Sequence, residues 1–478
     1  LDVGEVATPA GLRATLRPYQ TRGYAWLYRN GRLGLGSIIA DDMGLGKTLQ
    51  VIALLLKHRE EGRLPNGALV VVPTTLLTNW QHEIDRFAPA LATHLYHGPA
   101  RHLPTDRPDV LLTTYGVARV ETERLSEQPW DVLVIDEAQN IKNPTTAQTK
   151  ALKRIPAHTR VAMSGTPVEN RLSEYWSLMD FVNRGYLGSL KRFQCDYAYP
   201  IEVEQDQRRL DRFRRVTTPF LLRRVKSDRT IISDLPDKIE TDAYCHLTAE
   251  QAALYQGVVD EIMAKVERAD GIERRGLIFQ LTLLLKQVCN HPSQFARRPT
   301  ADPAHSGKSQ RLLELLGEVH ERGEKALVFT QFRQMGDLLQ PMIAARHATD
   351  VRFLHGGCSR RQRDQLVKDF QNDPAVRTMI LSLKAGGTGL NLTAANHVVH
   401  YDLWWNPAVE AQATDRAYRI GQRRHVLVHR LLTTGTFEEK INDMLREKRA
   451  LADLAVAQGE QWIGDLSNRD LKQLFTLA

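Results

Sequence analysis

The chain has 478 residues, 42% of them hydrophobic and 25% charged, a composition that builds packed cores and excludes a disordered polymer. Its formal net charge of +8 favours an anionic partner and leaves DNA, RNA, lipid and acidic protein open. Cys195, Cys245, Cys289 and Cys358 stand singly, which excludes a paired-cysteine metal site and a disulfide framework and points to a reducing compartment, the cytoplasm of a bacterium or the nucleus of a eukaryote.

At roughly 150 residues per domain the length predicts two or three domains. The longest apolar runs, Val51 to Leu56 and Leu281 to Leu285, fall far short of the roughly 20 residues that cross a bilayer, so no membrane partner is expected. The chain starts at Leu1 with no readable signal peptide, as expected of a fragment or a processed product.

From Ser37 to Ser164, short β-branched runs alternate with helical patterns: SIIA, ALVVV from Ala68, VLLTT from Val110, DVLVID from Asp131 and RVAMS from Arg160. This alternation predicts a parallel sheet with crossover helices, a first α/β lobe over 1–182. Over 183–298 the strand signal stops, while Leu254, Val258, Ile262, Met263 and Val266 recur at helical spacing, which predicts a helical insertion. RPTADPAHSG is rich in Pro, Ala and Gly and predicts a linker over 299–307. ALVFT from Ala326, VRFLH from Val351, TMILS from Thr378, HVVHY from His397 and LVHRLL from Leu427 then predict a second α/β lobe over 308–455, with a helical tail over 456–478.

The run DDMGLGKTLQVIALLL follows the strand SIIA and opens an amphipathic helix, the setting that a phosphate-binding loop requires. Gly44 and Gly46 allow close backbone approach, Asp42 flanks them, Lys47 pairs with the β and γ phosphates, and Thr48 holds Mg²⁺ through its hydroxyl. The strict pattern has a further glycine where Asp41 stands, so this is the shortened GxGKT form. Asp136 and Glu137 close the strand VLVI, at the sheet edge where ligands bind. One carboxylate serves the Mg²⁺ shell, Asp136, while the other, Glu137, orients and deprotonates the attacking water. Together these residues imply ATP hydrolysis with ATP and Mg²⁺ as cofactors.

In chain order, LRPYQ, DDMGLGKT, VVVPTTLLTNW, LLTTYG, DEAQ, SGTP, SLKAGGTGLNL and QATDRAYRIGQ resemble the Swi/Snf family of helicase superfamily two. The resemblance implies two RecA-like lobes with parallel sheets and helical insertions between them, and a motor that tracks duplex DNA without separating its strands. It implies that Gln20 reads the adenine edge, with Tyr19 stacking nearby. Arg416 and Arg419 match the arginine fingers of the family, which neutralise transition-state charge on the γ phosphate. Gln412 and Asp415 belong to the same motif, and Gly387 and Gly389 let a turn approach the nucleotide. Thr74, Trp80, Thr114 and Tyr115 in the first lobe, with Gln331, Lys384 and Thr388 in the second, fall in segments that contact the tracked strand in relatives.

Two further runs, FLLRRVKSD from Phe220 and KQVCNHP from Lys286, mark this family within the superfamily. From Arg208 to Arg229 nine basic residues face two acidic ones, as a phosphate-facing patch or a solvated helix face would. Gln139 stands where His commonly completes the DEAH motif, which leaves the strength of DNA stimulation open. The expected partner is double-stranded DNA, with RNA polymerase or a recombination or repair protein as further candidates, and the chain is expected to act as a monomer on DNA. Two other readings stay open: a motor acting on an RNA-polymerase complex or RNA, as RapA-like relatives suggest, and a nucleotide-gated DNA clamp.

Overall fold

The apolar runs become two open parallel sheets in the computed structural model, which describes residues 6–127, 129–165, 172–226, 228, 236–382, 390–404, 406–447, 463–464 and 466–477. The chain divides into two units, Leu1–Asp234 and Leu235–Ala478. In the first, β1 (Ser37–Ile39), β2 (Ala68–Val72), β3 (Thr93–Tyr96), β4 (Val110–Thr114), β5 (Trp130–Ile135), β6 (Ala157–Met163) and β7 (Leu221–Leu222) line up in the order β3-β4-β2-β5-β6-β1-β7. Every pairing is parallel, so the carboxyl ends of all these strands meet at one edge.

Alternate residues of these strands feed two cores, as a sheet covered on both faces demands. Val70, Val72, Val132 and Val134 pack with α1 (Pro18–Arg32), α2 (Lys47–Glu60) and α3 (Leu77–Phe87). Leu69, Val71, Leu133 and Ile135 pack on the other face with Ala118 of α4 (Tyr115–Val120).

The second unit repeats the design with β8 (Lys238–Cys245), β9 (Ala326–Thr330), β10 (Asp350–Leu354), β11 (Val376–Ser382), β12 (His397–His400) and β13 (Val426–Thr433), in the order β10-β11-β9-β12-β13-β8. All five pairings are parallel here too. Two long helices, Ala249–Val266 and Gly271–Asn290, pack through Tyr255, Ile262, Leu281 and Leu285 against Phe437, Ile441 and the closing helix Asn468–Phe475.

Two features differ from the sequence expectation. The stretch 183–298 is divided between the units and contains β7 and β8. β8 carries mostly exposed side chains, so no apolar run marks it; eight backbone partners along β13 define it instead. The Pro/Gly-rich 299–307 lies inside the second unit and is pinned there. Ser306 is buried, gives its hydroxyl to the Asn290 carbonyl at 2.6 Å and caps the helix Gly307–Glu321. A Cβ at Gly307 would meet the His246 carbonyl at 2.0 Å, so glycine here answers to a close approach rather than to a hinge.

Candidate nucleotide site and nucleic-acid interface

β1 delivers the chain directly into the loop 40–46. Gly44 and Gly46 adopt φ of 82° and 74°, left-handed values that an L side chain would strain. Gly46 caps α2 with no side-chain bond to its first turn, so backbone amides and the positive end of a 14-residue helix present themselves as an anion site. Lys47 leads that helix and gives its ammonium to the carbonyls of Asp41 at 2.5 Å and Asp42 at 3.1 Å. Thr48 follows, half-buried. Tyr19 and Gln20 are buried and both donate to the Leu45 carbonyl at 3.2 Å, while the Gln20 side-chain Oε1 accepts from the Arg17 backbone amide at 3.0 Å. Gln20 is therefore seated against the loop itself.

Asp41, where the strict motif has glycine, is fully buried and forms a two-pronged pair with Arg224 of the FLLRRVKSD run. The Arg224 backbone amide also donates to Asp41 at 3.0 Å, its guanidinium reaches Gln50 at 2.8 Å and the Tyr19 carbonyl, and it lies over the Tyr19 ring at 5.1 Å. Asp42 completes the clasp, accepting from the Lys226 amide at 2.8 Å. Sequence reasoning missed this arrangement; the signal was the unexplained acid at a glycine position and the equally unexplained basic run 183 residues away. Packing against α1 is as close, since a Cβ on Gly23 would lie 2.0 Å from Gln50 and 2.8 Å from Arg224.

β5 ends in Asp136 and Glu137, both buried. Glu137 takes a left-handed backbone, φ 54° and ψ 56°, costing about 1–3 kcal/mol for a non-glycine residue and typical of functional turns. Its amide donates to Asp136 Oδ1 at 2.8 Å, and the Asn140 side chain donates to its carbonyl at 2.9 Å. Gln139 gives its amide to the Glu137 carboxylate at 2.6 Å and accepts from the Ser164 hydroxyl at 3.3 Å. The residue that replaces histidine thus joins the acid to the end of β6, without a group that titrates near neutral pH. Beside Ser164, a Cβ on Gly165 would lie 2.4 Å from Met43 Cγ, which brings the end of β6 against the phosphate loop. The donor set around this edge, a threonine hydroxyl and a carboxylate with a lysine and helix amides, fits Mg²⁺ bound to a polyphosphate.

Of the residues expected to face a tracked strand, Thr74 is exposed. Trp80, Tyr115 and Thr114 are buried, which corrects that expectation for their side chains. Trp80 fills the core under α3 and donates its indole N–H to Asp136 Oδ2 at 2.9 Å. Tyr115 donates its hydroxyl to the Asp136 carbonyl at 2.6 Å, and burial, with Asp136 and Glu137 nearby, holds its phenol well above the ordinary range. Thr114 caps α4 by accepting from the Val117 amide. The basic run contributes the helix Gln207–Thr217, on which Arg208, Arg209, Arg212, Arg214 and Arg215 are exposed and Phe213 is buried.

In the second unit, Gln331 leaves β9 half-buried, its amide on the Leu403 carbonyl at 2.7 Å and its backbone amide on Asp402 at 2.8 Å. The KQVCNHP run explains itself here: the buried Lys286 ammonium reaches Gln331 and the Leu403 carbonyl, and Asn290 donates to Asp402 at 3.1 Å. Gln412 is half-buried on the helix Pro407–Thr414, and Arg416 (buried) and Arg419 (half-buried) follow in the next turn. Gln422 anchors that turn, giving its buried amide to the carbonyls of Thr393, Ala395 and Ala417 at 2.7–3.2 Å. Lys384, Gly387, Thr388 and Gly389 lie outside the described residues.

Comparison with known proteins agrees with this geometry. The SNF2-related domain model matches residues 19–294, and the helicase conserved C-terminal domain model matches residues 307–421. The chain is 46% identical over 474 residues to YwqA of Bacillus subtilis, named for an ATP-dependent helicase/translocase, covering 98% of this chain and 51% of that protein. It is 33% identical to the TATA-binding protein-associated factor MOT1 of Saccharomyces cerevisiae, over 98% of this chain and 29% of that one. The chain thus spans about half the length of YwqA and less of MOT1. Among solved structures, the Sulfolobus solfataricus SWI2/SNF2 ATPase core in complex with dsDNA is 42% identical, with a TM-score of 0.51 over 99% of this chain and all of that one.

Proposed function

Because the chain belongs to the SNF2-related family of helicase superfamily two, we propose that it is an ATPase that converts hydrolysis into movement along duplex DNA without separating the strands. What carries the reading is one sheet edge: the Lys47 loop after β1, Ser164 after β6 and Asp136–Glu137 after β5 are linked through Gln139 and Met43. Lys47 would hold the β and γ phosphates, Thr48 and Asp136 would hold Mg²⁺, and Glu137 would take the proton of the attacking water. When bound there, Mg²⁺ would supply neutralisation of phosphate charge. Arg416 and Arg419 stabilise the charge that develops on the transferred phosphoryl group.

Duplex DNA is the preferred track because the similar Sulfolobus core is a complex with dsDNA and because the exposed arginines of Gln207–Thr217 suit a phosphate backbone read without sequence. The test is turnover with duplex DNA, single-stranded DNA and RNA, together with displacement of a triplex-forming strand. Duplex-stimulated turnover with displacement supports the reading. Stimulation by RNA alone would replace it with an RNA-directed motor, and ATP-gated binding without displacement would replace it with a clamp.

A further inference from the structure

Trp80 and Tyr115 carry polar atoms into a core that needs none. Trp80 is one of the largest fully buried side chains, keyed to the sheet with Leu77 and Ile84 along α3. A phenylalanine would fill much of the same space, and an indole N–H buried away from water needs an acceptor to avoid a penalty of about 1–3 kcal/mol. Its acceptor is Asp136 Oδ2 at 2.9 Å, while Oδ1 of the same carboxylate receives the Glu137 amide at 2.8 Å. These two donors, one on each oxygen, fix the rotation of the Asp136 carboxylate. Tyr115 acts on the backbone of the same pair: its hydroxyl reaches the Asp136 carbonyl at 2.6 Å and the Glu137 carbonyl at 3.4 Å.

Both donors sit at the root of segments that present backbone to solvent. The turn Thr74–Leu76 opens α3 with Thr74 and Thr75 exposed, and Gly116, next to Tyr115, is exposed with open space beside its Cα. Because α3 and α4 are packed into the two cores, a shift of either segment would move the donor on Asp136 or on the left-handed Glu137 backbone.

We propose that Trp80 and Tyr115 are positioning residues, Trp80 setting the Asp136 carboxylate for Mg²⁺ and Tyr115 setting the Glu137 backbone for the water, and that they carry displacements of the exposed segments after β2 and β4 to that pair. The second half of the proposal rests on the DNA-motor reading, with DNA phosphates as the load on those segments. Outer partners of metal ligands typically tune metal affinity by about 10–100-fold.

The test uses Trp80→Phe and Tyr115→Phe in the full chain. For Trp80→Phe, binding of a fluorescent ADP analogue is measured against free Mg²⁺. The half-saturating Mg²⁺ rises about tenfold or more, while affinity without Mg²⁺ stays near wild type. In the Asp136→Asn background the same substitution adds nothing to the Mg²⁺ effect. For Tyr115→Phe, the Mg²⁺ midpoint stays put and the ratio of duplex-stimulated to basal turnover falls severalfold. A shifted unfolding midpoint with unchanged Mg²⁺ dependence would reduce Trp80 to a core residue and overturn its assignment; an unchanged stimulation ratio would overturn that of Tyr115. If Trp80→Phe does not fold, Tyr115→Phe still decides the coupling. A wild-type protein that duplex DNA does not stimulate would sink the DNA reading, while the Mg²⁺ titration would still decide Trp80.

Discussion

The two units hold their functional turns by different chemistry. The first clamps its phosphate loop with charge: Asp41 and Arg224, both buried, share a two-pronged pair to which Tyr19 and Gln50 add acceptors. The second seats its arginine turn with a neutral amide, the buried Gln422, which satisfies three carbonyls and accepts from the amides of Arg423 and Arg424 at 2.9 and 3.0 Å. A loop that must receive polyphosphate gains from an arginine already committed to an internal acid, because that cation cannot drift toward the ligand. A turn whose own arginines are proposed to meet phosphate gains from an anchor with no charge to compete for them.

Five predictions sharpen or break that contrast. Arg416→Ala or Arg419→Ala lowers ATP turnover by about 10³–10⁵-fold with little change in nucleotide affinity, and Arg→Lys recovers little because the planar fork is lost. Near-normal steady-state turnover in both variants would remove the second unit from the chemistry. Glu137→Gln lowers single-turnover hydrolysis by about 10²–10⁴-fold while fluorescent nucleotide still binds; retained hydrolysis would assign the base elsewhere.

Arg224→Ala leaves Asp41 as an uncompensated buried charge, and chemical denaturation should show a loss of about 3–5 kcal/mol from the first unit. An unchanged midpoint would mean that the pair is incidental to the loop. Gln422→Ala removes a neutral anchor and costs the second unit about 1–3 kcal/mol, less than its charged counterpart. A larger loss than for Arg224→Ala would invert the comparison.

The smallest effect concerns pH. In the second unit burial, followed by neighbouring cations or histidines, lowers both His320 and His429 to about 4. Between the ordinary value near 6.5 and that lowered value, the unfolded chain binds protons that the folded unit refuses, so stability falls as pH falls through this window. In the first unit His58 is lowered in the same sense. Hydrogen-exchange protection, taken relative to the intrinsic amide rate at each pH, should therefore fall more between pH 7 and pH 5 in the core strands of the second unit than of the first, and an equal change in both would contradict the histidine account.

The runs that carry β1, β2, β4, β5 and β6, and β9 to β13, are legible as short runs rich in β-branched and other apolar residues because both faces of a parallel sheet are largely buried. The nucleotide motifs are legible for a related reason: close phosphate approach needs glycine, lysine and a hydroxyl in immediate succession, so the chemistry is local in sequence. What tertiary structure alone decided has partners far apart or polarity at odds with its place. β8 is exposed and polar and exists through its ladder to β13. Asp41 makes sense beside Arg224, whose pairing no local pattern announces. Trp80 and Tyr115 fall in segments that contact the tracked strand in relatives, yet each is buried with a single polar atom turned to Asp136 or its carbonyl. Periodicity reports which face of an element is apolar; which buried donor meets which buried acceptor depends on how the elements are stacked, and that is fixed only when the sheet is assembled.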